Sequence, residues 1–203
     1  MRKALDMDKL KSVYGRIAKR YDFQHAFLTA RADQRGRRLL VENSVREGDK
    51  VLDCGAGTGT TGVMAAEKAG PDGRVTMFDL SDAMLAVARA KVVRAGLQDR
   101  VAFENGDMVH LPFADDSFDV VLSTYSLCPL YDPEAGVREL YRVTRPGGRI
   151  GVAHSTEPDD PTLKRLADRV EDWAWRFPGL SMGCRAVKVI PALEKLGGKL
   201  MFS

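Results

Sequence analysis

Cysteine is scarce in this sequence. Its three copies, Cys54, Cys128 and Cys184, lie far apart and form no CxxC pair. An odd number at such spacing indicates neither a disulfide framework nor a zinc site, so no metal is expected. Histidine is equally sparse: His25, His110 and His154 are all there is. No apolar run approaches the roughly eighteen residues that a membrane helix needs. The opening "MRKALDMDKLKSVYG" has no apolar stretch of the kind a secretory signal carries. The expected location is therefore the cytoplasm. Aromatics make up only 7% of residues and do not interleave with basic ones as RNA-binding surfaces require, so no nucleic-acid partner is expected. Internal repeats and low-complexity tracts are also missing.

What remains is the composition of a globular chain. Hydrophobic residues are 44% and charged residues 29% of 203, enough for one sizeable core. The charge is uneven. Residues 1–46 carry twelve Lys/Arg against five acids, a net +7, which leaves −4 for the rest. Such a basic arm could meet an anionic membrane surface or an acidic substrate, or be a solvated helical face.

Periodicity divides the chain into alternating elements. Residues 8–45 read as helical, with a break near 29–33. "KVLDC" (50–54), "RVTMFD" (74–79), "RVAFEN" (100–105), "FDVVLST" (118–124) and "RIGVAHS" (149–155) read as strands. Helices are expected over 60–69, from Ser81 or Asp82 to Gly96, and over 133–143, where Pro133 suits a first turn. "RPGG" reads as a turn. Further helices are expected at about 161–175 and 186–196, before a strand-like "KLMFS". Strand–helix alternation means an α/β fold: a doubly wound, mostly parallel sheet with helices on both faces. The chain divides into an N-terminal helical segment, 1–45, and a ligand-binding domain, 46–203.

The densest glycine cluster falls at the first strand–helix turn, where such sheets hold their ligands. In "VLDCGAGTGTTG" four glycines fall within eight residues. Gly57 to Gly62 satisfies GxGxxG, and Asp79 follows at the end of the second strand, the dinucleotide pattern. Taken alone this admits NAD. The wider pattern, Asp53-x-Gly55-x-Gly57-x-Gly59, resembles motif I of the class I S-adenosylmethionine methyltransferases. "MFDLSDAML", "NGDMVHLPFADDSFDVV" and "LYRVTRPGGRI" are similar to that family's later motifs, in family order. The leading "YGRIAKRYDFQHAFLT" is similar to the ubiquinone/menaquinone C-methyltransferases. That group has a tryptophan after the Tyr-Asp pair, missing here, and a glutamate at the end of the fifth strand, where this chain has His154.

The resemblance implies a cofactor, S-adenosyl-L-methionine, and a set of residues for it. Asp53 is expected to hold the amino acid end, directly or through water. Gly55, Ala56, Gly57 and Gly59 should let the backbone approach the methionyl and ribose parts. Asp79 should accept from the ribose diol, and Asp107, flanked by Gly106 and Met108, from the adenine amine. Leu80 and Met84 should wall the adenine, with Tyr21 and Ser123 completing the set. The expected function is methyl transfer to a small or lipid-like acceptor, first a quinol-type ring carbon. The alternatives are O-, N- or S-methylation of another small molecule, or a cofactor-binding partner protein without turnover. A ring carbon beside a phenol becomes nucleophilic when the hydroxyl proton is removed, so His154 and then His25 are the expected bases. An apolar face with Tyr14, Ile17, Tyr21 and Phe27 would make residues 1–30 a lid, its basic face near anionic headgroups. The family's sheet ends with an antiparallel seventh strand; after "KLMFS" no residues follow, so that C-terminal strand is expected to be missing.

Overall fold

The computed structural model describes residues 6–18, 20–22, 32–153, 160, 169 and 189–199. His25, His154, Phe27, the helix expected near 161–175 and most of "KLMFS" lie outside them. The sheet has five strands in the order β3-β2-β1-β4-β5. These are β1 (Lys50–Cys54), β2 (Arg74–Asp79), β3 (Val101–Asn105), β4 (Phe118–Thr124) and β5 (Thr144–Ala153). Every pairing among the described residues is parallel. The order reverses between β1 and β4, which opens a crevice beyond their carboxyl ends.

Six helices are described: α1 (Met7–Ile17), α2 (Ala32–Ser44), α3 (Thr60–Ala69), α4 (Asp82–Arg94), α5 (Pro133–Val143) and α6 (Ile190–Lys195). Their ends follow from local chemistry. Asp6 caps α1 by accepting from the Lys9 N–H, and Ser81, rather than Asp82, caps α4 by accepting from the Met84 N–H. Asp132 caps α5, whose Pro133 needs no donor in the first turn. Gly96 follows α4 with φ +68°, a conformation that favours glycine.

Alternation along the strands feeds two cores. Val51, Val120 and Leu122 face α2, α3 and α4 through Val41, Ala65 and Leu85. Leu52, Phe78 and Val121 face α5 and α6 through Val137, Leu140 and Leu193. A side chain as enclosed as Phe78 contributes about 1.5–3 kcal/mol by leaving water. The small residues of α3 are needed for its close approach: a Cβ on Gly62 would lie 2.5 Å from the Met77 side chain.

Two boundaries differ from the sequence reading. The second helix already runs from Ala32, inside the expected break at 29–33. β5 begins at Thr144 and not at Arg149, because Thr144 pairs with Phe118 before the "RPGG" segment bulges out and pairing resumes at Val120 and Arg149.

Candidate functional site

A cleft opens at the carboxyl ends of β1, β2 and β4. Gly55, Ala56 and Gly57 line it from the first loop, Asp79, Leu80 and Met84 from the second, and Gly106, Asp107 and Met108 from the third. Tyr21, with Leu10 and Tyr14, lines it from the N-terminal segment.

The three glycines of the first loop differ in what they permit. All have positive φ: +77° at Gly55, +54° at Gly57 and +79° at Gly59. A Cβ on Gly55 would lie 2.2 Å from the Ser126 Cβ, and one on Gly59 would lie 2.7 Å from the Ala88 Cβ. Those two glycines let the protein pack against itself. Beside Gly57 there is nothing within 4 Å. Gly55 and Gly57 both line the cleft, but among the described residues only Gly57 of the three has open space on its side-chain face, and its N–H donates to Asp79 Oδ2 over 2.8 Å.

Asp79 is anchored on both sides. Its second oxygen accepts from the Ser81 N–H over 2.9 Å. Burial pushes its pKa up, and these two backbone bonds pull it down. Each carboxylate oxygen keeps a lone pair for a ligand hydroxyl. Asp107 is held in the same manner: Oδ1 accepts from the Val109 N–H and Oδ2 from the Tyr131 hydroxyl at 2.6 Å. Burial and this bond to Asp107 raise the Tyr131 phenol to about 12.

Asp53, Gly59 and Ser123 do not line the cleft. Ser123 is buried and shares a hydrogen bond with Ser126 Oγ over 2.6 Å. Asp53 is sealed beneath the loop, and among the described residues only the Gly62 N–H, too poorly aligned for a good hydrogen bond, approaches its carboxylate. Burial lifts its pKa from 3.8 to about 7, opposed by the charge of Arg37 and assisted by that of Asp79. A carboxyl raised in this way is protonated in the folded chain where the unfolded chain has already ionised. Its stabilising contribution is complete below about pH 4 and is lost as pH rises towards 7. Asp53→Asn should therefore flatten the fall in stability across that window and be more stable than the parent at pH 8. Urea midpoints at pH 5 and pH 8 check this, and unchanged midpoints at both would refute it.

Sequence reasoning missed Arg37. Its guanidinium is buried, lines the cleft, and donates to Thr61 Oγ1 (2.8 Å) and Thr124 Oγ1 (2.6 Å). It also lies 5.0 Å from the centre of the Tyr125 ring. Tyr125 follows β4 with φ +56°, an unusual conformation for an aromatic residue. Its N–H donates to the Ala153 carbonyl, which keeps that turn against β5. In the sequence Arg37 is one of several basic residues on a helix, and nothing local marks it as buried. Cys128 is buried, its thiol bonded to the Tyr125 carbonyl at 3.4 Å. His110 is an exposed loop residue. Asp82 lies in the first turn of α4, with Lys11 3.8 Å away. Among the described residues no cluster of His, Cys, Asp or Glu could hold a metal.

The sheet order and the position of the cleft define the Rossmann-like fold of the class I methyltransferases. A methyltransferase of Thermotoga maritima described as S-adenosylmethionine-dependent shares this fold, with a TM-score of 0.67 over 93% of this chain and 80% of that one, at 21% identity. The chain belongs to the ubiE/COQ5 methyltransferase family, whose model matches residues 2–178. It is 34% identical over 162 residues to the ubiquinone/menaquinone biosynthesis C-methyltransferase UbiE of Ectopseudomonas mendocina, covering 79% of this chain and 63% of that protein. It is 31% identical over 153 residues to the demethylmenaquinone methyltransferase of Lactobacillus johnsonii, covering 75% and 63%. The chain thus spans somewhat under two thirds of the length of these curated relatives.

Proposed function

We propose that the protein transfers a methyl group from S-adenosyl-L-methionine to a ring carbon of a quinol-type acceptor. The observation that carries this reading is the meeting of Gly57's open backbone and Asp79's carboxylate in one cleft, in a chain of this family. The residues fit the cofactor. Asp79 would take the ribose diol, Asp107 the adenine amine, and Leu80 and Met84 its apolar faces. Asp53, sealed under the loop, would act on the amino acid end only through a buried water. Bound there, the cofactor supplies an electrophilic methyl group on a cationic sulfur.

The chain's own part is alignment, exclusion of water and management of one proton. Fixed geometry is worth about 7–11 kcal/mol in such displacements. Tyr14 and Tyr21, with ring centres 6.2 Å apart, flank the cleft, and an aromatic face favours a nearby cation. Arg37, ion-paired with the buried Asp33 at 3.8 Å, stands at the cleft wall as a hydrogen-bond donor that adds little net charge there. The segment that carries Leu10, Tyr14 and Tyr21 acts as the cover, and the net positive charge of residues 1–46 brings the protein to an anionic lipid surface where a lipid-like quinol resides. Calorimetry with S-adenosylmethionine and with NADH separates the cofactor readings. Methyl-donor assays against quinols, thiols and amines separate the acceptors. Methylation of thiols or amines alone would overturn the quinol reading.

Asp79→Ala should weaken S-adenosylmethionine binding by about 1.5–3 kcal/mol, the worth of a hydrogen bond to a charged group. That is roughly a ten- to 150-fold rise in Kd. Asp79→Asn, which keeps one acceptor oxygen, should fall between. An unchanged Kd for the alanine variant in calorimetry would remove Asp79 from the site.

A further inference from the structure

Lys91 lies on α4, away from every motif, yet it joins three parts of the molecule. Its Nζ is 2.6 Å from Asp22 Oδ2. It also donates to Thr58 Oγ1 at 3.1 Å and to Thr60 Oγ1 at 2.9 Å. Thr58 in turn donates to the other oxygen of Asp22 over 2.5 Å. The result is a closed ring of hydrogen bonds among the N-terminal segment, the glycine loop and α4. Thr58 is buried, and the Lys91 side chain is only 20% exposed. The ring borders the cleft: Thr58 and Thr60 line it, as do Tyr21, which precedes Asp22, and Gly57, which precedes Thr58. Gly57 is itself tied to Asp79.

A second ion pair links α1 to α4. Lys11 and Asp82 are 3.8 Å apart with side chains 50% and 72% exposed. Exposed pairs at that distance contribute little. Leu10, buried beside them, supplies apolar contact but no register. The Lys91 ring is the directional tie.

We propose that Lys91 is a positioning residue that clasps the N-terminal segment onto the glycine loop and couples docking of that segment to occupation of the cleft. The coupling rests on the cofactor reading given above; the clasp does not. The path is short: Asp22 to Thr58, the adjacent Gly57, then Asp79. A ligand that fixes Asp79 and Gly57 fixes Thr58 where Asp22 can meet it. By linkage the docked segment then favours the ligand equally.

Limited trypsin digestion at Arg16 and Arg20, followed by mass spectrometry, reads the docking without any turnover. In the absence of ligand, Lys91→Met should be cut about five- to twentyfold faster than the parent, the scale set by losing a hydrogen bond to a charged group at a partly exposed site. Methionine matches lysine in helix propensity, so α4 should persist. S-adenosylhomocysteine should slow cleavage of the parent and leave the variant unprotected, and its Kd should rise by a similar factor. Lys91→Arg should restore slow cleavage, and Lys11→Met should be cut at the parent rate. Asp22→Ala breaks the ring from outside α4 and must reproduce the fast cleavage. Parent-like cleavage of both Lys91→Met and Asp22→Ala overturns the proposal. Should S-adenosylhomocysteine give no heat with the parent, the cofactor reading and the coupling fail together, and the ligand-free digestion still decides the clasp.

Discussion

Gly57→Val should abolish binding of S-adenosylmethionine while leaving a folded protein. The residue has φ +54° and open space on its side-chain face. Forcing a β-branched residue into that region costs about 1–3 kcal/mol, within the 5–15 kcal/mol or so that a domain of this kind holds in reserve. Two added methyls would fill the part of the cleft that runs past the loop and tilt the N–H that anchors Asp79. Gly57→Ala should show the same effect in reduced form. Gly55→Ala should behave differently. Its Cβ would overlap the Ser126 Cβ at 2.2 Å, so the β4–α5 turn must move and the fold itself is destabilised. Circular dichroism melting separates the two, and calorimetry reads the affinity. A folded Gly57→Val protein with normal affinity would refute the approach of a ligand at this glycine.

The difference between those glycines was not legible in the sequence. All three stand in one alternating motif, and each was expected to face the cofactor. Two are there because the β4–α5 turn, α4 and β2 pack tightly around the loop, a property of partners distant in the chain. Elements governed by local rules were legible to the residue. β1, α3, β4 and α5 have the bounds that alternation, capping and the Pro133 first turn implied. The β5 boundary was not, because Thr144 joins the sheet across a bulge that only the register with Phe118 defines.

The same division runs through the site. Asp79 and Asp107 are strand-end and loop acids whose spacing marks them, and both line the cleft. Asp53 carries an equally strong motif signal, but burial places it under the loop, where its carboxyl answers to Arg37 and not to solvent. Arg37, Lys91 and Tyr131 carry no motif. Each becomes meaningful only through a partner 24 or more residues away: Thr61 and Thr124, Asp22, and Asp107. A charged side chain on an amphipathic helix is ordinarily solvated, so sequence alone favours the solvated reading.

His154→Ala should lower turnover by roughly 10²–10⁴ under the quinol reading, the usual contribution of a positioned general base. The residue directly follows Ala153, whose carbonyl accepts from the N–H of the cleft-lining Tyr125. A phenolic hydroxyl releases its proton only to a neutral imidazole. Activity of the parent should therefore rise with pH as the histidine loses its charge, near pH 6–7. Cofactor affinity should not follow that curve, because neither Asp79 nor the glycine loop depends on the imidazole. The alanine variant should lose the rising limb and keep its Kd for S-adenosylhomocysteine. His25→Ala serves as the comparison, since His25 is the other expected base; only one of the two substitutions can remove the limb if one imidazole takes the proton. A His154→Ala protein with the parent's rate and pH profile would exclude this histidine from proton transfer. Deprotonation would then fall to His25, and Arg37 would not replace it, because a guanidinium always carries its proton.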